Sequence, residues 1–371
     1  MHKRNLILVI LFSLILLAVP ISSILAADQA VSGAEKRPLA QLLTYAEFQK
    51  ANPGKDLSAY LAYQETYLLD QFPGRDYLRR LTAAGRIWGL GQRDNNLYYK
   101  LEGHLSKLDP KLSVQVVKRA MELFNRTLSS YFEDSKNPVF ALIPDKNYYL
   151  AEKGGYPHYD YQALADLAGD SLDPKVSFLP LFDRLSLEDY YRTDPHWDQK
   201  ELTDLAAWLL DQLGSPSESL DYTEDFYAPY LGTFAGQAAL PVTPDRLTWL
   251  NHPVLLDSAV YNPVTGETGG IYREDLLSGT DPYDFFLGGA QALLELRNPH
   301  SPRGRQLTVI RDSYGSSLIP LLLPSYERIT VIDLRYITME RAAGLTELAG
   351  DSDLLFLFST SVINSPGAFL N

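Results

Sequence analysis

An apolar run opens the chain from Leu6 to Ala26, interrupted only at Ser13, Pro20, Ser22 and Ser23, behind the basic start His2, Lys3 and Arg4. About 20 apolar residues span a bilayer, and flanking positive charge keeps that end cytoplasmic. The run therefore predicts a signal anchor or signal peptide over residues 1–26. Ile24 and Leu25 depart from the small-x-small pattern before Ala26 and Ala27, which favours an uncleaved anchor in the cell membrane with the rest outside the cytoplasm. Cleavage would instead yield a secreted protein. A polar linker, residues 27–40, follows.

Beyond the linker, residues 41–371 read as one folded domain. Apolar spacing is helical from Leu43 to Leu90, with a break at FPGRD, Phe72 to Asp76. Residues 93–105 read as a hairpin, with turn residues Asp94-Asn95-Asn96 and then Gly103. An amphipathic helix is expected over Ser113–Ser130. Val139–Ile143 is a short buried strand closed by Pro144-Asp145-Lys146. Residues 160–169 are helical and 177–185 are mixed. The segment YYRTDPHW then leads into a helix from Gln199 to Leu213, ended by Gly214. Residues 221–280, rich in Tyr, Thr, Gly and Pro, resemble short antiparallel strands with long loops. Residues 215–300 stand as an insertion candidate.

Further along, Leu307–Asp312, Ile329–Leu334 and Leu354–Phe358 read as buried strands with helices between them. Alternation of strand and helix implies parallel pairing through crossovers. The fold class is α/β, a parallel-sheet core flanked by helices with an antiparallel, loop-rich excursion.

Composition narrows the chemistry. Lys and Arg number 33 against 46 Asp and Glu, a net charge of −13, the wrong sign for a nucleic-acid surface. With no cysteine there are no disulfides, thiolate nucleophiles or Cys-based metal sites. The six histidines show no metal-ligand spacing, so no metal or other cofactor is expected.

Two positions carry candidate chemistry. The strand ending at Asp312 delivers Ser313 to a tight turn with Tyr314 and Gly315, and open α/β sheets bind ligands at the carboxyl ends of their strands. A serine there can act as a nucleophile or cap the following helix. In Asp194-Pro195-His196-Trp197, an Asp and a His two apart can share a hydrogen bond that orients the imidazole, or simply form a turn. Together they are the parts of a Ser–His–Asp triad, 117 residues apart in sequence. Glu102 and His104 have the same spacing but fall in the predicted hairpin. His158, within GGYPHYD, reads as part of a cleft-lining aromatic cluster. The 24 tyrosines suit either carbohydrate contacts or ordinary packing.

In order and spacing, YYRTDPHW, RDSYGSSL, ITVIDLRY, FPGRD, IPDK (Ile143 to Lys146) and DPYDFFLGG (Asp281 to Gly289) resemble the DHHW protein family. That family is related to the SGNH-hydrolase-like domain of bacterial alginate O-acetyltransferases. The resemblance spans about residues 65–365 and implies a circularly permuted SGNH-hydrolase-like fold. It implies Ser313 as nucleophile, His196 as general base and Asp194 as the residue orienting it. Tyr314, Gly315, Thr360, Asn364, Tyr191, Arg192, Trp197 and His158 are then expected around the oxyanion or the substrate.

The sequence departs from the family at Pro195, at Arg311 before Asp-Ser, and at Ala290 after Gly288-Gly289. The implied function is an O-acetyltransferase working through an acyl-enzyme on a cell-surface polysaccharide. Its implied partners are that acceptor and a membrane-embedded protein exporting the acyl group. A carbohydrate O-acetyl esterase and a non-catalytic polysaccharide-binding or assembly protein are the alternatives.

Overall fold

Where the pattern has helical spacing, the chain is helical. The computed structural model describes residues 2–215, 220–301 and 304–370. The chain divides into two units, Met1–Asn96 with Ala235–Pro241 and Leu97–Phe234 with Val242–Asn371. The first contains α1 (His2–Leu25), α2 (Tyr45–Ala51), α3 (Leu57–Asp70) and α4 (Arg75–Ala84). Thr44 and Glu47 form a capping box on α2, and Asp56 caps α3 through the Ala59 N–H at 2.9 Å. FPGRD breaks the helices as expected, with Gly74 left-handed at φ 73°. Its Arg75 joins Arg37 and Arg79 around the buried carboxylates of Glu35 and Asp70.

One expectation is corrected here. Among the described residues no helix is long and apolar enough to cross a membrane. The predicted anchor in α1, and the cell-membrane placement drawn from it, are overturned. The run is broken at Ser13, Ser22 and Ser23 and offers no unbroken apolar length of about 20 residues.

The second unit begins with a hairpin, β1 (Tyr98–Leu101) and β2 (His104–Lys107). Its turn is Glu102-Gly103, so of the expected turn residues Gly103 lies in it and Asp94-Asn95-Asn96 come before the hairpin. Both turn residues have positive φ, 51° and 83°, the backbone of a two-residue hairpin turn. After α5 (Val114–Tyr131) come β3 (Val139–Ile143), α6 (Lys146–Gly154), α7 (Tyr161–Ser171) and β4 (Ser177–Pro180). The closing Pro144-Asp145-Lys146 is in fact a helix start, because Asp145 caps α6 through the Asn147 N–H at 2.9 Å.

A 3₁₀ turn at Gln199–Leu202 precedes α8 (Thr203–Gln212). The Tyr-rich region supplies the antiparallel pair β5 (Thr223–Tyr230) and β6 (Asp245–Asn251), then the short strands β7 (Ala259–Tyr261) and β8 (Thr268–Gly270). The last stretch is β9 (Leu293–Arg297), β10 (Gln306–Arg311), α9 (Gly315–Leu322), β11 (Arg328–Ile332), α10 (Met339–Leu345) and β12 (Asp353–Ser359).

Eight strands form the main sheet in the order β8-β7-β9-β11-β10-β12-β3-β4. Pairing is parallel from β11 to β4 and antiparallel from β8 to β11. The expected α/β core with an antiparallel excursion is thus present.

The central strands are apolar along their whole length because helices cover both faces. Val139, Ala141, Leu307, Val309, Leu355 and Leu357 pack on the side of α8 and α9. Phe140, Leu142, Ile310, Ile332, Phe356 and Phe358 face α5, α7 and α10. Phe124 of α5 is the centre of that second layer, its ring 4.8–5.5 Å from those of Phe140, Phe356, Phe358 and Phe369. Phe124→Ala should lower stability by about 3–5 kcal/mol, read as a reduced urea midpoint at unchanged m.

Candidate active site

Ser313 stands one residue past the carboxyl-side neighbour of β10, on the turn before α9. Asp312 braces that turn. Its buried carboxylate accepts from the Tyr314 N–H at 3.0 Å and from the Ser359 N–H and hydroxyl at 2.8 and 2.7 Å, tying the ends of β10 and β12 together. Arg311 is fully buried beside it, and its side-chain stem would lie 3.0 Å from a Cβ on Gly315. Glycine at 315 therefore leaves room for the arginine stem. The arginine itself faces the Asp333 carboxylate at 3.6 Å, and its burial pulls its pKa below the usual arginine range.

The turn and the YYRTDPHW loop meet. His196 Nε2 lies 2.8 Å from Ser313 Oγ, and His196 Nδ1 lies 2.6 Å from Asp194 Oδ1. Ser313 Oγ therefore faces the imidazole, and α9 has no side-chain cap bond at its start. Asp194 is wholly buried, His196 nearly so, and Ser313 is partly exposed.

The loop is held from several sides. Asp194 also accepts from the His196 N–H at 3.1 Å and, through Oδ2, from the Thr233 N–H at 2.8 Å. A Cβ on Gly232 would come within 2.2 Å of the Asp194 Cβ, so that close approach requires glycine. Asp245 takes the Arg192 and Thr193 N–H groups at 3.1 and 2.8 Å and the Thr193 hydroxyl at 2.6 Å. Lys146 donates to the Tyr191 and Arg192 carbonyls at 2.8 and 3.3 Å. Burial pushes the Lys146 amine down to about 7, opposed by the charges of Asp194 and Asp245.

Other expected site residues serve as fastenings. Trp197 is buried and donates its indole N–H to the Tyr314 carbonyl and the Ser317 hydroxyl, both at 3.0 Å. The Tyr314 hydroxyl donates to the Pro195 carbonyl at 2.7 Å, which joins the turn to the loop directly. The Gly315 N–H donates to the Asp312 carbonyl at 3.1 Å, so the N–H groups of Tyr314 and Gly315 are both committed within the turn. Thr360 donates to half-buried Asp145 at 2.9 Å. Asn364 accepts from the Ser113 N–H at 2.8 Å and donates to Asp109 and the Lys111 carbonyl. His158 is exposed and bonded to the Tyr156 carbonyl. Neither Thr360, Asn364 nor His158 hydrogen-bonds to the Ser313–His196–Asp194 chain.

Glu102 pairs with Lys153 at 3.3 Å, and His104 is buried in β2, pushed down to about 4 chiefly by that burial. Ala290 is exposed after Gly289, whose carbonyl lies 3.5 Å from an Arg311 nitrogen. Among the described residues no group of three or more His, Asp or Glu side chains is arranged to hold a metal.

Sequence reasoning missed Tyr283. Its ring lies flat on the His196 imidazole, 3.9 Å away at 4°, and its hydroxyl meets Ser317 Oγ at 2.9 Å. The signal was DPYDFFLGG, which contains Tyr283 but does not say what it stacks on.

Asp198, at the far end of the loop, takes the Tyr191 hydroxyl at 3.2 Å, and burial pushes its carboxyl up to about 7. An unfolded aspartate ionises near 3.9, so between about pH 4 and 7 the folded state holds the extra proton and loses stability as pH rises. Asp198→Asn removes that loss. Its Tm should move up relative to wild type between pH 4 and 8, by an amount corresponding to roughly 2 kcal/mol.

Comparison with known proteins bears on the fold. The family described as DHHW protein matches residues 184–332, which contain the loop, Tyr283 and the Ser313 turn. A crystal structure of a DHHW family protein from Eubacterium siraeum has TM-score 0.59 and 19% identity, covering 74% of this chain and 94% of that one. Bacillus cereus PatB1 has TM-score 0.60 and 16% identity, covering 74% of this chain and 99% of its own. A second PatB1 structure, with a sulfonyl adduct, has TM-score 0.59 at 16% identity, covering 73% and 98%. No curated protein sequence matches. At these identities the structures speak to fold alone, and they bear out the SGNH-hydrolase-like α/β architecture. Over residues 184–332 the chain is similar to the DHHW protein family.

Proposed function

We propose that the protein is a serine acyl-transfer enzyme, an O-acetyltransferase that delivers an acyl group to a polysaccharide hydroxyl. The observation that carries this reading is the continuous hydrogen-bonded chain Ser313–His196–Asp194 at 2.8 and 2.6 Å. His196 Nε2 takes the hydroxyl proton as Ser313 Oγ attacks the acyl carbonyl. The carbonyl re-forms as the leaving group departs with the proton from His196, leaving an ester on Ser313. A sugar hydroxyl then gives its proton to His196, attacks that ester, and Ser313 regains the proton. Asp194 holds the imidazole in the tautomer this requires and stabilises its charged form. PatB1, similar in fold, is known with a sulfonyl adduct, and sulfonyl halides trap activated nucleophiles. Water in place of the sugar makes the same residues an esterase.

The committed N–H groups of Tyr314 and Gly315, with Ala290 where the family pattern has Asn, favour a second reading, a non-catalytic polysaccharide-binding protein on the same fold. An oxyanion left without donors would forgo about 10²–10³ in rate.

The test is to treat the protein with an activated acetyl ester or a sulfonyl fluoride and map adducts by peptide mass spectrometry. An adduct on Ser313 is expected, absent in Ser313→Ala and formed at least about 100-fold more slowly in His196→Ala. Transfer of acetyl onto an added oligosaccharide then separates transferase from esterase. A wild-type protein that takes up neither reagent and turns over no ester would overturn the enzymatic reading in favour of binding.

A further inference from the structure

An imidazole bonded through both nitrogens can still tilt about the line that joins its two partners. His196 is so placed, with Asp194 Oδ1 2.6 Å from Nδ1 and Ser313 Oγ 2.8 Å from Nε2. Only packing against the flat faces of the ring can stop that tilt. Tyr283 covers one face, its ring centroid 3.9 Å away and the two planes 4° apart. Tyr314 meets the imidazole edgewise, at 5.0 Å and 64°. In a close-packed interior, a parallel contact this near leaves the imidazole no room to turn towards Tyr283.

Tyr283 is itself immobilised. It lies in the 3₁₀ turn Pro282–Phe285 and is 3% exposed. Its N–H donates to Asp281 Oδ1 at 3.0 Å, its ring packs on that of Phe286 at 5.3 Å, and its hydroxyl meets Ser317 Oγ at 2.9 Å. Burial alone asks only that the phenol find some partner. The partner it has stands on the first turn of α9, just past the nucleophile. The same Ser317 Oγ accepts the indole N–H of Trp197, the residue after His196, at 3.0 Å. The seat of the histidine is thus tied to the segment that carries the serine.

We propose that Tyr283 is a positioning residue for His196: its ring fixes the tilt of the imidazole, and its hydroxyl, through Ser317, keys that ring to the helix behind Ser313. The consequence for turnover rests on the acyl-transfer reading above. The seat itself is measurable in the resting protein.

The experiment compares wild type, Tyr283→Leu and Tyr283→Phe in the full chain, with Tyr283→Leu made also in a His196→Ala background. With an activated acetyl ester, Tyr283→Leu should acylate Ser313 at least about 10-fold more slowly than wild type, since small misplacements of a reacting group are costly. Tyr283→Phe keeps the ring and should recover most of that loss. In the His196→Ala background, Tyr283→Leu should cost less than about 2-fold, because the residue acts only through the imidazole. A merely structural role would slow both backgrounds alike, and equal losses overturn the proposal. So does a Tyr283→Leu protein that acylates at the wild-type rate, or a Tyr283→Phe protein as slow as Tyr283→Leu.

In the resting protein the readout is hydrogen exchange of the His196 Nδ1 proton, followed as its downfield ¹H NMR resonance. Exchange should be at least about 10-fold faster in Tyr283→Leu than in wild type or Tyr283→Phe, and an unchanged rate overturns the proposal. If Tyr283→Leu does not fold, Ser317→Ala keeps the ring and removes its anchor. The same proton should then exchange faster, and an unchanged rate again overturns the proposal. A wild type that fails to acylate sinks the enzymatic reading alone, because proton exchange still decides the seat.

Discussion

A carboxylate shut away from water is stable only where hydrogen bonds replace its hydration, and the loop around Asp194 is arranged to supply them. One oxygen meets the imidazole and N–H of His196, and the other meets the Thr233 N–H. Gly232 lets the chain approach close enough for that last contact. Thr193, on the same loop, is fixed to Asp245, and its hydroxyl in turn receives the Gly232 N–H at 2.9 Å. Remove the carboxylate and the loop loses its reason for this shape. On this side of the imidazole, the position of His196 follows from satisfying Asp194.

The opposite wall is satisfied differently. Ser317, on the first turn of α9, gathers the Trp197 indole and the Tyr283 hydroxyl, and its carbonyl accepts from Gln199 at 2.7 Å. Gln199 also receives the Leu250 N–H at 2.8 Å, so β6 is drawn to the same point. The residues flanking the imidazole are therefore fastened to the helix that follows Ser313. Serine and histidine, 117 positions apart in sequence, are thus held by one connected set of buried polar groups. Such networks rigidify a site when every member is satisfied.

Much of this was legible in the chain. The runs VFALI, LTVIRD, ITVIDL and LLFLF announced strands buried on both faces, and the RTDPHW and RDSYG segments announced the two halves of the site. Ser313 was ambiguous between cap and nucleophile, since both use a serine before a helix; only the position of His196 separates them. Strand β9 escaped notice because Glu295 interrupts it. That glutamate is buried against Arg328 at 3.1 Å and against Thr346, partners far away in sequence. Tyr283 is one tyrosine of 24, and only tertiary packing picks it out. Thr360 and Asn364 looked available after the last strand, yet Asp145 and the start of α5 claim them. The apolar opening run suggested a bilayer anchor, which the described helices do not supply.

The sheet order has a consequence for how the protein is made. Strand β12, Asp353–Ser359, is the last of the sheet to be synthesised, yet it lies in its middle, between β10 and β3. Until it leaves the ribosome, two apolar strands face each other across a gap with their backbone groups unpaired. Such edges invite pairing with other chains. Parallel strands joined over this distance in sequence also close slowly, because the intervening chain must be ordered first. Between the synthesis of β10 and that of β12 the two half-sheets stay unjoined, with Asp312 and Ser359 apart and the Ser313 turn without its Ser359 brace. The turn is braced from β12 only after every other strand of the sheet has been made.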